Sequence, residues 1–179
     1  MRFRITLMAI SVLLPAIVRT PAQAAPPSEY QLKAAYLFNF AKFVEWPTGA
    51  FAQATSPMVI GVLGDNPFGG DLERTIHGKS INDHPMQVRA VQSLGDAKQC
   101  HILFISPSEK KRLPEIVAAL RGVPVLTVGE SEGFPEAGGM INFVLEGNKI
   151  RFQINNDAAR NAGLKISSKL LSLAQSPAH

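Results

Sequence analysis

Apolar residues in the middle of this chain come in nearly unbroken runs rather than in alternation. Met58–Leu63, Val88–Val91, His101–Ile105 and Pro124–Val128 are each of strand length and carry few polar breaks. A strand with one wet face alternates, whereas a strand covered on both faces does not, so these runs predict a mostly parallel sheet with helices on both faces. The intervening segments agree. Pro67–Ile76 reads as a short helix, and Ser108–Leu120 as a longer one with Ser108 as N-cap and Gly122 as its stop. The pattern changes where Met140–Leu145 and Lys149–Ile154 flank Glu146-Gly147-Asn148, a hairpin signal. Asp157–Ala162, stopped by Gly163, and Ser167–Ala174 read as two last short helices. The fold class that follows is α/β, a single domain with a mostly parallel central sheet, helices on both faces and a C-terminal antiparallel hairpin.

The stretch Ser28–Pro47, SEYQLKAAYLFNFAKFVEWP, follows a helical period instead. It opens with a capping-box pattern, ends at a helix-stopping proline, and carries Tyr30, Tyr36, Phe38, Phe40, Phe43 and Trp46. On a helical wheel Ala34, Leu37, Ala41, Val44, Phe40, Tyr36, Phe43 and Leu32 cover more than half the circumference, wider than one core requires. Such a helix is either sandwiched between two layers or offers apolar surface to another chain. The C-terminal block is comparable, since Leu164, Ile166, Leu170, Leu171 and Leu173 are too apolar for a loose tail. They dock on the sheet or, paired with the first helix, form an interaction surface.

The first residues carry a secretory signal: basic Arg2 and Arg4, an apolar Ile5–Val18, and the small-residue site Ala22-Gln23-Ala24. At 14 residues, with Pro15 inside, that apolar run is short for a bilayer core. Residues 1–24 are thus expected to be a cleaved leader, leaving 25–179, or 179 − 24 = 155 residues, as one domain in the periplasm. Arg2, Arg4 and Arg19 leave with the leader and no acid does, so the formal charge falls from +4 to +1. That balance offers no row of cations for nucleic acid. Cys100 is the single cysteine and cannot staple its own chain. It reads as a small buried hydrophobe, with an intermolecular disulfide or a redox sensor as the alternatives.

Candidate chemistry is sparse. Gly64-Asp65-Asn66-Pro67-Phe68-Gly69 lies where a strand passes into a helix, the edge at which open α/β sheets collect ligands. Ser106-Pro107-Ser108 and Gly129-Glu130-Ser131 share that edge if their strands run parallel, so Gly64, Asp65, Asn66 and Gly69 are candidate ligand-binding residues; they are also ordinary turn formers. Gly78-Lys79-Ser80 resembles the end of a P-loop, but the glycine required five residues earlier is Glu73. No dinucleotide fingerprint, nucleophile elbow or HExxH is present. His77 and His84 are seven apart in a turn-rich segment, and His101 follows Cys100 so that in a strand the two point to opposite faces. No catalytic residues, metal or cofactor are called for.

Read in order, the chain resembles the YfiR family over almost its whole length behind the leader. The matching blocks are AAYLFNFAKFVEWP (Ala34–Pro47), Gly64–Gly69, CHILFIS (Cys100–Ser106), Gly138-Gly139-Met140-Ile141, IRFQIN (Ile150–Asn155) and AGLKISSKLL (Ala162–Leu171). The resemblance implies a periplasmic, non-enzymatic regulator that binds the periplasmic sensor domain of an inner-membrane diguanylate cyclase and represses cyclic di-GMP production. It also implies an outer-membrane lipoprotein as a second partner; a homodimer is a further possibility. Cys100 matches a family disulfide position, but without a second cysteine an internal disulfide is out of reach. The expected partner-binding residues are Tyr36, Phe40, Phe43, Lys165, Ile166 and Lys169, from the two terminal elements. A sensor of a small anion or metabolite at Gly64–Gly69 is the alternative.

Overall fold

The computed structural model describes residues 26–175, so the leader expected over 1–24 lies outside the described residues. The N-terminal helix α1 (Glu29–Phe43) runs into a two-residue strand β1 (Val44–Glu45). Then follow β2 (Met58–Leu63), α2 (Asp71–Ile76), β3 (Ser80–Ile81), β4 (His84–Val91), α3 (Leu94–Ala97) and β5 (Ile102–Ile105). A 3₁₀ turn over Pro107–Arg112 leads into α4 (Leu113–Ala119), and β6 (Leu126–Gly129), β7 (Ile141–Glu146) and β8 (Lys149–Ile154) complete the main sheet. The chain ends with α5 (Asn156–Asn161), β9 (Lys165–Ile166) and α6 (Ser168–Leu173).

Seven strands form one sheet in the order β3-β4-β2-β5-β6-β7-β8. The ladders β4-β2, β2-β5, β5-β6 and β6-β7 are parallel, while β3-β4 and β7-β8 are antiparallel hairpins. The unbroken apolar runs have the physical origin expected of them. Ile60, Val62, Ile102, Phe104, Leu126 and Val128 point to a face covered by Leu37, Phe40 and Ala41 of α1, Leu72 of α2 and Leu170 of α6. Their neighbours Val59, Leu63, Leu103 and Ile105 point to the other face, beneath Ala97 of α3 and Leu113, Ile116 and Val117 of α4. Gly61, in the middle of β2, is dictated by that second face, because a Cβ there would lie 2.5 Å from the Cys100 Sγ.

Four expectations need correction. The helix read as reaching Pro47 ends at Phe43, because Val44 and Glu45 pair antiparallel with Ile166 and Lys165, and the Ser167 N–H caps the Phe43 carbonyl at 2.9 Å. The helix read from Ser108 starts as a 3₁₀ turn capped by Ser106 and becomes α-helical at Leu113. Pro114 then sits in the first turn of α4, where its missing N–H breaks no bond, rather than in a helix interior. The helix read from Pro67 is confined to Asp71–Ile76, since Asn66 Oδ1 takes the Phe68 N–H into a turn. The strand read as Val88–Val91 begins at His84, in a hairpin turned by Asn82 and Asp83, both at positive φ (48° and 67°).

Candidate interaction surface

The parallel order of β2, β5 and β6 brings Gly64–Gly69, Ser106–Ser108 and Gly129–Ser131 to one sheet edge, the condition on which the sequence reading depended. The chain itself occupies that edge. The Asp65 N–H donates to Ser108 Oγ at 2.9 Å, while the Asn66 side chain bonds the Phe68 N–H and the Gly69 carbonyl. Phe68 folds inward between Phe104 and Tyr30, with ring centroids at 4.8 and 5.5 Å. From α1, the Tyr30 hydroxyl donates to Glu130 Oε1 at 2.9 Å, and Lys33, 5% exposed, pairs with Glu130 and Glu29. Burial and the Glu130 carboxylate together push Tyr30 ionisation above its ordinary range. The Asp65 N–H and the Asn66 side chain are thus spent within the fold, while Asp65 itself is exposed.

The terminal elements meet as a surface. Phe43 is half-buried, and the Lys169 Nζ of α6 lies over its ring at 5.3 Å. Lys165 is exposed on β9 opposite Glu45. On the other flank of the same helix, Phe38 is covered by Lys42 at 5.5 Å and Lys79 at 4.3 Å. Between the two flanks lie Leu32, 40% exposed, with Ala35 and Asn39. Among the described residues none of Lys42, Lys79, Lys165 or Lys169 makes an ion pair. Two of the residues expected on this surface are turned away from it. Phe40 is fully buried against Phe143 and Phe152, and Ile166 is buried in the same core. Tyr36 divides its ring between that cluster and solvent. Phe38 and Lys79 were missed because the turn after α2 brings Lys79 to α1 only in three dimensions; the one local signal was the helical spacing of Phe38 to Lys42.

At the opposite sheet edge the Phe51 ring is stacked between His84 and His101, at centroid distances of 3.7 and 4.1 Å. The Val59 N–H donates to His101 Nδ1 at 3.1 Å, so the proton is on Nε2 and points to the Ala50 carbonyl at 3.2 Å. Burial lowers the His101 pKa below 6.5, with His84 adding to the effect. Cys100 lies on the other face of the sheet, as the alternation required, and burial pushes its thiol up to about 11. Among the described residues no group of histidine, cysteine and carboxylate side chains has the arrangement of a metal site.

A YfiR/HmsC-like family model matches residues 30–175. The chain belongs to that family. It is a family of periplasmic regulators of diguanylate cyclase rather than of catalysts. Two solved structures share the fold at 12% identity. One is a conserved domain protein from Vibrio cholerae O1 biovar El Tor, with a TM-score of 0.56, covering 83% of this chain and 60% of that one. The other is the ABC domain in complex with L-Trp from Streptococcus pneumoniae, with a TM-score of 0.52 and coverage of 82% and 61%. The chain therefore spans about three-fifths of the length of each of these structures.

Proposed function

We propose that this protein is a periplasmic, non-enzymatic repressor that binds the sensor domain of an inner-membrane diguanylate cyclase through the outer face of α1 and the adjoining β9–α6 edge. The observation that supports this reading is the face itself: three turns of helix whose aromatic flanks are capped by lysines that have no carboxylate partner among the described residues. Cation-capped aromatic rings bind well once a partner excludes water, because the ring supplies area and the ammonium meets a carboxylate at reduced dielectric. Repression follows if the partner's inactive state presents the better-fitting surface, since a ligand shifts an equilibrium only by its differential affinity.

The test is a pull-down of the cyclase's periplasmic domain by the protein lacking its leader, alongside intracellular cyclic di-GMP. Phe43→Glu and Lys169→Glu change exposed or half-buried positions without opening the core. Each is expected to weaken capture at least about tenfold and to raise cyclic di-GMP. Unchanged capture and repression by folded variants would remove α1 and α6 from the contact. The ligand-sensor reading at Gly64–Gly69 has its own test, a ligand-dependent rise in melting temperature lost in Asp65→Ala and Asn66→Ala.

A further inference from the structure

A cavity of about 440 Å³ opens away from both surfaces described above, between the end of α4 and the start of α5. Its origin is a gap in the sheet. The β5-β6 ladder pairs four residues, Leu126 to Gly129, but β7 joins β6 only at Val128 and Gly129. The Met140 N–H then bonds the Thr127 hydroxyl oxygen at 3.1 Å instead of a strand backbone. The volume is within the usual range for small-molecule sites. Its inner wall is apolar, from Val117, Leu120, Met140 and Ala158.

The polar rim has a definite sign. Asn155 is structural, with its Oδ1 held by the Ala158 N–H and its Nδ2 by the Pro135 carbonyl. Asp157 is paired on the surface with Arg160 at 2.6 Å. Arg121 makes no ion pair among the described residues. The Thr127 hydroxyl, which accepts from Met140, still has a proton to give. The uncommitted groups are therefore one guanidinium, one hydroxyl donor and the Asn161 amide above an apolar floor. An inorganic anion would leave that floor wet, and a neutral hydrocarbon would make no use of the Arg121 guanidinium. We propose that this cavity binds a small monocarboxylate with an apolar body, its carboxylate on Arg121 and its hydrocarbon against Val117, Leu120, Met140 and Ala158. Arg121 fits a carboxylate with two parallel N–H donors, which sets it apart from an isosteric amide.

Phenylacetate, phenylacetamide and 2-phenylethylamine are suitable probes, because they share one body and differ in charge. In amide-resolved NMR titrations, phenylacetate is expected to shift signals of Val117, Thr127, Met140 and Ala158 saturably, binding about tenfold more tightly than the amide, and the amine not at all. Arg121→Gln, an exposed change, is expected to erase the preference for the acid while the spectrum keeps its folded dispersion. Ala158→Phe, on the outer helix α5, is expected to fill the cavity and abolish binding of both. Equal affinity for acid and amide, an Arg121→Gln protein that keeps the preference, shifts mapping elsewhere, or no saturation up to about 10 mM would each overturn the assignment.

Discussion

His101 serves two backbone groups with one neutral ring, accepting from Val59 and donating to Ala50. Protonation would put a second N–H against the Val59 N–H, and burial already holds the pKa below 6.5. The unfolded chain therefore takes up a proton between 6.5 and the lower folded value that the folded chain refuses. Stability from this residue is complete above pH 6.5 and declines as pH falls through the folded value. Thermal midpoints of the native chain and His101→Gln, measured from pH 8 to pH 4, are expected to converge toward the acid end. Cys100 titrates in the other direction: raised to about 11, it remains a thiol at physiological pH. A thiol reagent at pH 8 is expected to label it only after denaturation, and rapid labelling of the folded protein would contradict its burial. Lys33 is costly to disturb, since Lys33→Met leaves the buried Glu130 side chain without its cation. That change is expected to cost about 3 kcal/mol by denaturant unfolding, more than either exposed lysine of α6 or β9.

Local chemistry sets the ends of most elements. Ser28 and Gln31 form the reciprocal capping box at the start of α1, so Ser28→Ala is expected to remove about 1 kcal/mol, read as a lower thermal midpoint. Ser167 caps α6 with its side chain alone, accepting the Leu170 N–H; only the Ser28 box was visible as a cap in the sequence. The end of α1 was not visible, because Val44 and Glu45 become a strand only when Ile166 and Lys165 arrive from the far end of the chain. The Phe134 ring shows the same dependence on the fold. It lies flat between the backbones of Gly129 and Gly139, where a Cβ at either position would overlap it. Gly129→Ala is expected to destabilise by about 1–3 kcal/mol, with a smaller loss if Phe134 is shortened to Leu in the same protein.

At the scale of the whole molecule, charge and aromatic surface are distributed unevenly. Four lysines collect around one helical face, while much of the acid lies elsewhere, as at Glu109, Glu115, Glu132 and Asp157. A partner steered by this field is expected to bind faster at low ionic strength, and raising salt from about 50 to 500 mM should slow association more than it speeds dissociation. The unbroken strands, the C-terminal hairpin and the edge shared by Gly64–Gly69, Ser106–Ser108 and Gly129–Ser131 were legible in the sequence. Each follows from a period or a turn residue acting over a few positions. The surplus of apolar residues in α1 was equally plain, but not its division. Phe40 and Phe43 are alike in sequence, and only packing against Phe143 and Phe152 makes the first core and leaves the second under Lys169 at the surface. The cavity beside Arg121 belongs to the same class of fact, since it exists because two strands pair for two residues rather than four. Local pattern determined most of the strands and helices, though not all of their ends, and carried the family resemblance. Which faces are buried, which rings are exposed and where the sheet gapes depend on contacts between residues far apart in the chain, and those the tertiary structure alone decided.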